Sequence, residues 1–413
     1  MDVRPDRVPV SGAVPDEAKG SPEGDGISVS STYRTNRGYV QKTLLIQFYR
    51  SRARYVQRSL QHGWRLLRTR PRGWRNFLIN HLASELRLPY APAMPVHITI
   101  EPTTACNARC PVCETGAMVL GRKAGTMDLL HFQRVVDQIA PGANTLLFYF
   151  MGEPFLNKSA YEMVEYARRK GLYVATSTNG DFVDPQRLVD CGIDMVYFQV
   201  GGMTEPTHQR YRINSLLSRV IPNLEAAIAA KRAKYGDSVP PDRYRELPPK
   251  IVLGLIVMKH NEHEIPAFLE WGKQLGADQV NLVPPVVRNV AQGKMYLPDS
   301  DQFWLYDRSE FETNGKLVPK PAHKNDCTLI WNSTIITWNG DVVPCCRDPQ
   351  AKFVMGNVFE TPLRKIWNNE KYVAFRKRLL RDQKSIGICR LCTEFVIPVP
   401  VAPRAQPAVP IGL

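Results

Sequence analysis

From residue 95 onward, short runs of apolar and β-branched residues alternate with longer stretches whose apolar positions recur every three or four residues. The β-type runs are VHITIEP (96–102), TLLFYFMG (145–152), YVATSTN (173–179), MVYFQVGG (195–202), KIVLGLIVM (250–258) and QVNLVPP (279–285). Helical stretches such as DLLHFQRVVDQIA (128–140) and SAYEMVEYARRKG (159–171) lie between them. Strands alternating with helices predict a parallel sheet. Six such units predict an α/β fold, a partial (β/α)6 barrel of the TIM type. Its chemistry would sit on loops at the C-terminal ends of the strands.

The flanks read differently. Residues 1–40 are rich in Pro, Gly, Ser and Asp without an apolar period, the pattern of a disordered tail. Residues 41–94 interleave basic residues with Leu, Ile, Phe, Tyr and Trp. They predict two amphipathic helices broken near TRPRG (69–73). Residues 95–300 hold the barrel and 301–326 a linker. Residues 327–395 form a small cysteine-rich module, and 396–413 a Pro-rich tail. Within the module, STIITWNGDVVPCC (333–346) predicts a hairpin with a tight Asn-Gly turn.

Composition suits a globular protein, with 44% hydrophobic and 9% aromatic residues in 413. No apolar run reaches the ~18 residues of a membrane-spanning helix, and the first residues lack the apolar core of a secretory signal. The expectation is a cytoplasmic protein. The net charge of +15 is uneven: residues 41–90 hold eleven Lys or Arg against the single acid Glu85, hence +10. With Phe48, Trp64, Trp74 and Phe77 among the arginines, that segment reads as an arm for an anionic membrane surface, making the protein membrane-peripheral. Helices packed on the barrel with a solvated basic face explain the pattern equally well. Nucleic acid ranks behind both, since no RNA-binding fold is legible.

Eight of nine cysteines fall into two groups: Cys106, Cys110 and Cys113, then Cys327, Cys345, Cys346, Cys389 and Cys392. Grouped thiols in a cytosolic chain point to metal before disulfides. Cys191, alone in DCGIDMVYF, reads as a buried apolar residue. The first triplet follows directly on the first strand. Three thiolates can hold three irons of a [4Fe–4S] cluster and leave the fourth open, the mark of a catalytic rather than a structural metal. A structural zinc with a distant fourth ligand is the competing reading. In its fullest form the chain would be a non-catalytic zinc protein that docks on membrane or nucleic acid.

The Cys-x3-Cys-x2-Cys spacing after a first strand resembles the signature of radical S-adenosylmethionine enzymes. In that family the open iron chelates the methionine moiety. An electron from the cluster then cleaves the sulfonium, giving a 5′-deoxyadenosyl radical that abstracts a substrate hydrogen. FMGEP (150–154) resembles the family's Gly-Gly-Glu motif, which implies that Gly152 lets the backbone approach the cofactor and Glu153 accepts from its amine. By the same resemblance Ser177 and Asn179 in TSTNG (176–180) contact the carboxylate or ribose, and Arg212 partners the carboxylate. FQVGG (198–202) departs from the Ser-Ile-Asp-Gly type of relatives and lacks the acid, which implies an altered substrate face. HNEHEI (260–265) reads as a loop and helix start, not a metal site.

The second cysteine group, with MGNVFETPLRKIWN (355–368) between its thiols, resembles the SPASM/twitch extensions of these enzymes. The short twitch form implies one auxiliary [4Fe–4S] cluster on Cys327, Cys345, Cys389 and Cys392, with Cys346 spare: a buried thiol, an alternative ligand in place of Cys345, or a hydrogen-atom donor, in that order. A closed cluster serves electron transfer, which suits oxidation of an alcohol as in related aminocyclitol dehydrogenases. Epimerisation would need a thiol hydrogen donor, Cys191 or Cys346. The resemblance thus implies oxidation or epimerisation of a sugar, cyclitol or other natural-product intermediate. The alternatives are a ribosomal peptide or a lipid-linked substrate. It also implies a flavodoxin- or ferredoxin-type electron donor.

Overall fold

Six strands follow the predicted runs closely: β1 (His97–Ile100), β2 (Thr145–Leu147), β3 (Tyr173–Thr178), β4 (Met195–Val200), β5 (Lys250–Ile256) and β6 (Gln279–Val283). The structure, a computed structural model, describes residues 71–236, 239–320, 325, 327–393 and 399–401. The expected tail 1–40, the first basic helix, and most of the Pro-rich tail lie outside the described residues. So does part of the linker. β1 to β6 pair in parallel in sequence order, the α/β arrangement of a partial TIM-like barrel.

Alternate residues of these strands face the helices, as the pleat requires. Ile98, Leu146, Val174, Val196, Phe198, Leu253 and Val280 join one core with Phe132, Val135, Val136 and Ile139 of the helix Leu129–Ile139. Those four helical positions recur at i, i+3, i+4 and i+7, one apolar stripe. Burying each such side chain stabilises the fold by roughly 1.5–3 kcal/mol. Asp128 caps the helix by accepting from the His131 amide at 2.8 Å.

The cysteine-rich module does not stand apart from this sheet. Its hairpin, β7 (Ser333–Ile336) and β8 (Asp341–Val343), places β7 parallel to β1, pairing His97 with Ser333 and Ile100 with Ile336. Gly340, at φ +87°, makes the predicted Asn-Gly turn. β9 (Gly356–Asn357) and β10 (Val399–Val401) complete a ten-stranded sheet, with β10 antiparallel on β6. Two buried tryptophans bolt the module to the chain that enters β1. The Trp331 Nε1–H donates to the Leu88 carbonyl and that of Trp367 to the Ala93 carbonyl, each at 2.8 Å.

One expectation changes in the fold. The segment expected as a plain linker contains the helix Arg308–Asn314 and the buried aromatics Phe303, Tyr306 and Phe311. Its apolar residues are too few and too irregular to show a period, yet Tyr306 is fully enclosed and bonds both the amide and carbonyl of Val287. The second basic helix is present as Pro71–Glu85. No helix among the described residues is long and apolar enough to cross a membrane.

Candidate active site

The cysteine loop leaves the C-terminal end of β1 and is held from three sides. On one side Asn107 joins the end of β3: its carboxamide donates to Asp181 at 2.6 Å and accepts from Asn179 at 2.8 Å. On the second, the Arg288 guanidinium and Gln292 carboxamide both donate to the Pro111 carbonyl, at 2.9 and 3.2 Å. The third is an apolar wall in which Ala108, Cys110 and Val112 pack with Tyr211, Met258, Tyr296 and Tyr306. These contacts exclude water from one side of the thiols.

The structure brings the three thiols within mutual electrostatic reach, with Arg212 facing all of them. Burial pushes Cys106 up to about 12 and raises Cys110, the charge of Glu153 adding to the first. Burial works against the Arg212 charge, but the facing thiols hold its pKa above the usual value. Its Nε–H has no hydrogen-bond partner. An unpaired guanidinium donor beside open metal ligands suits a carboxylate.

Glu153 is buried at 3% exposure, and burial pushes its pKa up to about 7. Its Oε1 accepts from the Thr178 hydroxyl at 2.7 Å and the Phe155 amide at 3.3 Å, and its Oε2 from the Asn179 amide at 2.8 Å. A carboxylate has about four acceptor sites, so one place remains, on Oε2. Gly152 is required by the cysteine loop itself: a Cβ there would lie 2.2 Å from the Thr103 carbonyl oxygen and 2.8 Å from that of Ala105. Asn179 spends its side chain on Asn107 and on the Asp181 amide, so its visible work is to position the loop. Ser177 lies on the barrel face of β3, opposite Tyr197 in register.

Cys191 is not brought to this site. It lies in the helix-side core and donates to the Leu188 carbonyl, because its position at the end of the helix Pro185–Asp190 turns it away from the strand ends.

The second group brings five thiols together: Cys345 lies within electrostatic reach of Cys346, Cys327 and Cys389, and Cys392 within reach of Cys327, Cys346 and Cys389. Burial pushes Cys327 and Cys389 up to about 12 and Cys345 well above the usual thiol range. Arg347 ties the turn to the Cys-x2-Cys segment, donating to the Leu391 carbonyl and the Thr393 hydroxyl. Cys346 is exposed, yet it acts on the Tyr149 hydroxyl, whose barrel-face position on the chain leaving β2 also feels Tyr197.

Among the described residues no three Cys, His, Asp or Glu side chains converge to hold a single metal ion. A zinc site needs that convergence, with each donor ~2.0–2.3 Å from one point. A four-iron cluster does not, because each thiolate takes a separate iron. Three thiolates on one loop, and a second all-thiolate group, are the donor chemistry that iron–sulfur clusters take.

The comparisons agree. Residues 100–271 match the Radical SAM superfamily, and residues 327–393 match SPASM, an iron–sulfur cluster-binding domain. The chain belongs to the radical SAM superfamily. One relative of this radical SAM enzyme is the tungsten-containing aldehyde ferredoxin oxidoreductase cofactor-modifying protein of Pyrococcus furiosus. It is 25% identical, covering 68% of this chain and 83% of its own. Another is the S-adenosyl-L-methionine-dependent 2-deoxy-scyllo-inosamine dehydrogenase of Niallia circulans, 24% identical over 71% of this chain and 91% of its own. The fold resembles that of Streptococcus suis SuiB bound to precursor peptide SuiA (TM-score 0.50, 13% identity, 72% of this chain and 70% of that one). A radical SAM domain binds a four-iron cluster and S-adenosylmethionine, and the SPASM module adds auxiliary iron–sulfur.

Several residues that position the site had no signal in the sequence. Glu101, Arg122, Tyr211, Arg288, Gln292 and Tyr306 act across long sequence separations. Asn107 lay inside the cysteine motif and could have been noticed there.

Proposed function

We propose that this radical SAM enzyme dehydrogenates a carbon of a small hydroxylated substrate, a sugar or cyclitol. When bound, the three-thiol cluster and S-adenosylmethionine supply a 5′-deoxyadenosyl radical that removes a substrate hydrogen. In this reading Cys106, Cys110 and Cys113 hold the cluster, while Arg212 and the free place on Glu153 orient the methionine carboxylate and amine. Tyr211, Tyr296 and Tyr306 keep water out.

The observation that carries oxidation over epimerisation is the complete second thiol set. Four of these thiols, Cys327, Cys345, Cys389 and Cys392 in this reading, would leave no iron open for substrate, and a cluster held by them would supply an electron acceptor. Cys346 favours the second reading: an accessible thiol facing the barrel side of Tyr149 could return a hydrogen atom and give an epimer.

The test is incubation of the reconstituted enzyme with 2-deoxy-scyllo-inosamine in deuterium oxide under reducing conditions. A ketone formed with one 5′-deoxyadenosine per turnover supports dehydrogenation. An isomer of unchanged connectivity that carries solvent deuterium, and is lost in Cys346→Ala, supports the epimerase. No turnover sinks the cyclitol reading.

A further inference from the structure

On the barrel face of the sheet, one row carries two carboxamides, each with a buried atom that has no hydrogen-bond partner. Gln199 of β4 is in register with Gly254 of β5, which is in register with Asn281 of β6. Their neighbours Phe198, Leu253 and Val280 belong to the helix-side core, so by the pleat this row faces the other way, into the barrel.

Gly254 shows where the Gln199 amide lies. A Cβ on Gly254 would sit 2.8 Å from the Gln199 Oε1 and 3.0 Å from its Nε2. Glycine weakens a strand interior and marks close approach of another group. Here it lets the carboxamide cross β5 toward β6. Asn281 is fully buried, and its Oδ1 accepts from Gln279 at 2.6 Å. What remains is an acceptor, Gln199 Oε1, and a donor, Asn281 Nδ2, both sealed from solvent and both without a partner.

Buried polar groups in native proteins are nearly always bonded, and a specific exception asks for an unseen partner. An apolar core row would cost less. A group that donates to Gln199 and accepts from Asn281 completes both, and a hydroxyl carries both capacities. No member of this row or of the next one, Tyr197, Val252 and Gln279, carries a charge at neutral pH. The site therefore selects a neutral group rather than a carboxylate or phosphate.

We infer that Gln199 and Asn281 form a substrate subsite that grips a neutral hydroxyl of a polyol, across Gly254 on the barrel face of β4 to β6. The inference rests on the radical SAM reading and names what its substrate must carry. It also gives a reason for glutamine at a position where the strand departs from its relatives. A site that rejects analogues lacking the hydroxyl follows, since the two carboxamides would then stay unpaired.

The experiment is thermal melting of the reconstituted enzyme with S-adenosylmethionine, titrated with myo-inositol, methyl glucoside or N-acetylglycinamide. Wild type, Gln199→Met and Asn281→Leu are compared. The expected result is a rise in wild-type Tm with a polyol and not with the amide. Gln199→Met should melt no lower than wild type and lose the polyol response. A response to the amide alone, or to none of the three, overturns the inference. So does a lower Tm in both variants with the polyol response intact, which would make the pair a structural element. Failure of the radical reading is seen separately, as wild type that forms no 5′-deoxyadenosine.

Discussion

Glu101, at the end of β1 and fully buried, is clasped by both terminal nitrogens of Arg122, one of them at 2.8 Å. Glu101 also accepts from the Trp338 amide at 3.2 Å, and Arg122 donates through Nε to the Pro349 carbonyl at 2.6 Å. One ion pair thus joins the strand before the cysteine loop, the chain leaving that loop, and the SPASM module. Burial raises the Glu101 pKa, and Arg122 opposes it. Arg122→Met leaves the buried carboxylate without its ion-pair partner, bonded only by backbone amides, and should destabilise the protein by about 3–5 kcal/mol. The double variant Glu101→Gln/Arg122→Met should recover much of that. Denaturant melts of the three proteins check it, and equal losses in single and double variants would remove the pair from the account.

Glu153 is the hub between the cysteine loop and β3. Glu153→Gln would set an amide N–H against the Thr178 hydroxyl or the Asn179 amide, and would remove the charge proposed to meet the methionine amine. Losing a charge-assisted hydrogen bond of about 1.5–3 kcal/mol weakens S-adenosylmethionine binding by roughly tenfold to a hundredfold. Equilibrium dialysis measures it. Unchanged affinity would mean that Glu153 serves only Thr178, Phe155 and Asn179.

His208 makes the protein acid-sensitive from inside. Its Nδ1 accepts from the Gly201 amide at 3.2 Å, so Nε2 carries the proton toward Ser215, 3.0 Å away. Burial, with the Arg212 charge adding, lowers its pKa from 6.5 to about 4. The folded state therefore prefers the neutral ring. This contribution is whole above pH ~6.5 and falls by about 3 kcal/mol as pH drops toward 4, with no further loss below. His208→Gln should flatten that part of the stability profile. A variant with the wild-type slope between these pH values would contradict the assignment.

The barrel was legible because the strands are short apolar and β-branched runs, several of them ended by a polar or glycine-rich turn, as in YVATST before Asn179–Gly180. Both cysteine groups were legible from spacing alone. What the sequence hid was pairing at a distance. Lys231, inside an otherwise apolar helical stripe, is buried only because it meets Asp278 at 2.7 Å, 47 residues away. Trp331 and Trp367, both in the module, hold the chain before β1. Glu153 and Asn179 were expected at the cofactor, and most of their bonding serves the loop that carries the thiols. Periodicity reports which face is buried, and it says nothing of which polar groups meet there.

The most direct test is to purify the protein without oxygen, reconstitute it with iron and sulfide, and measure iron beside dithionite-driven formation of 5′-deoxyadenosine. The account predicts about eight irons per chain, two four-iron clusters, with deoxyadenosine formed. Cys106→Ala/Cys110→Ala/Cys113→Ala should keep about four irons and form none. Tightly held zinc with no cleavage by the wild type, or cleavage by the triple variant, would contradict it.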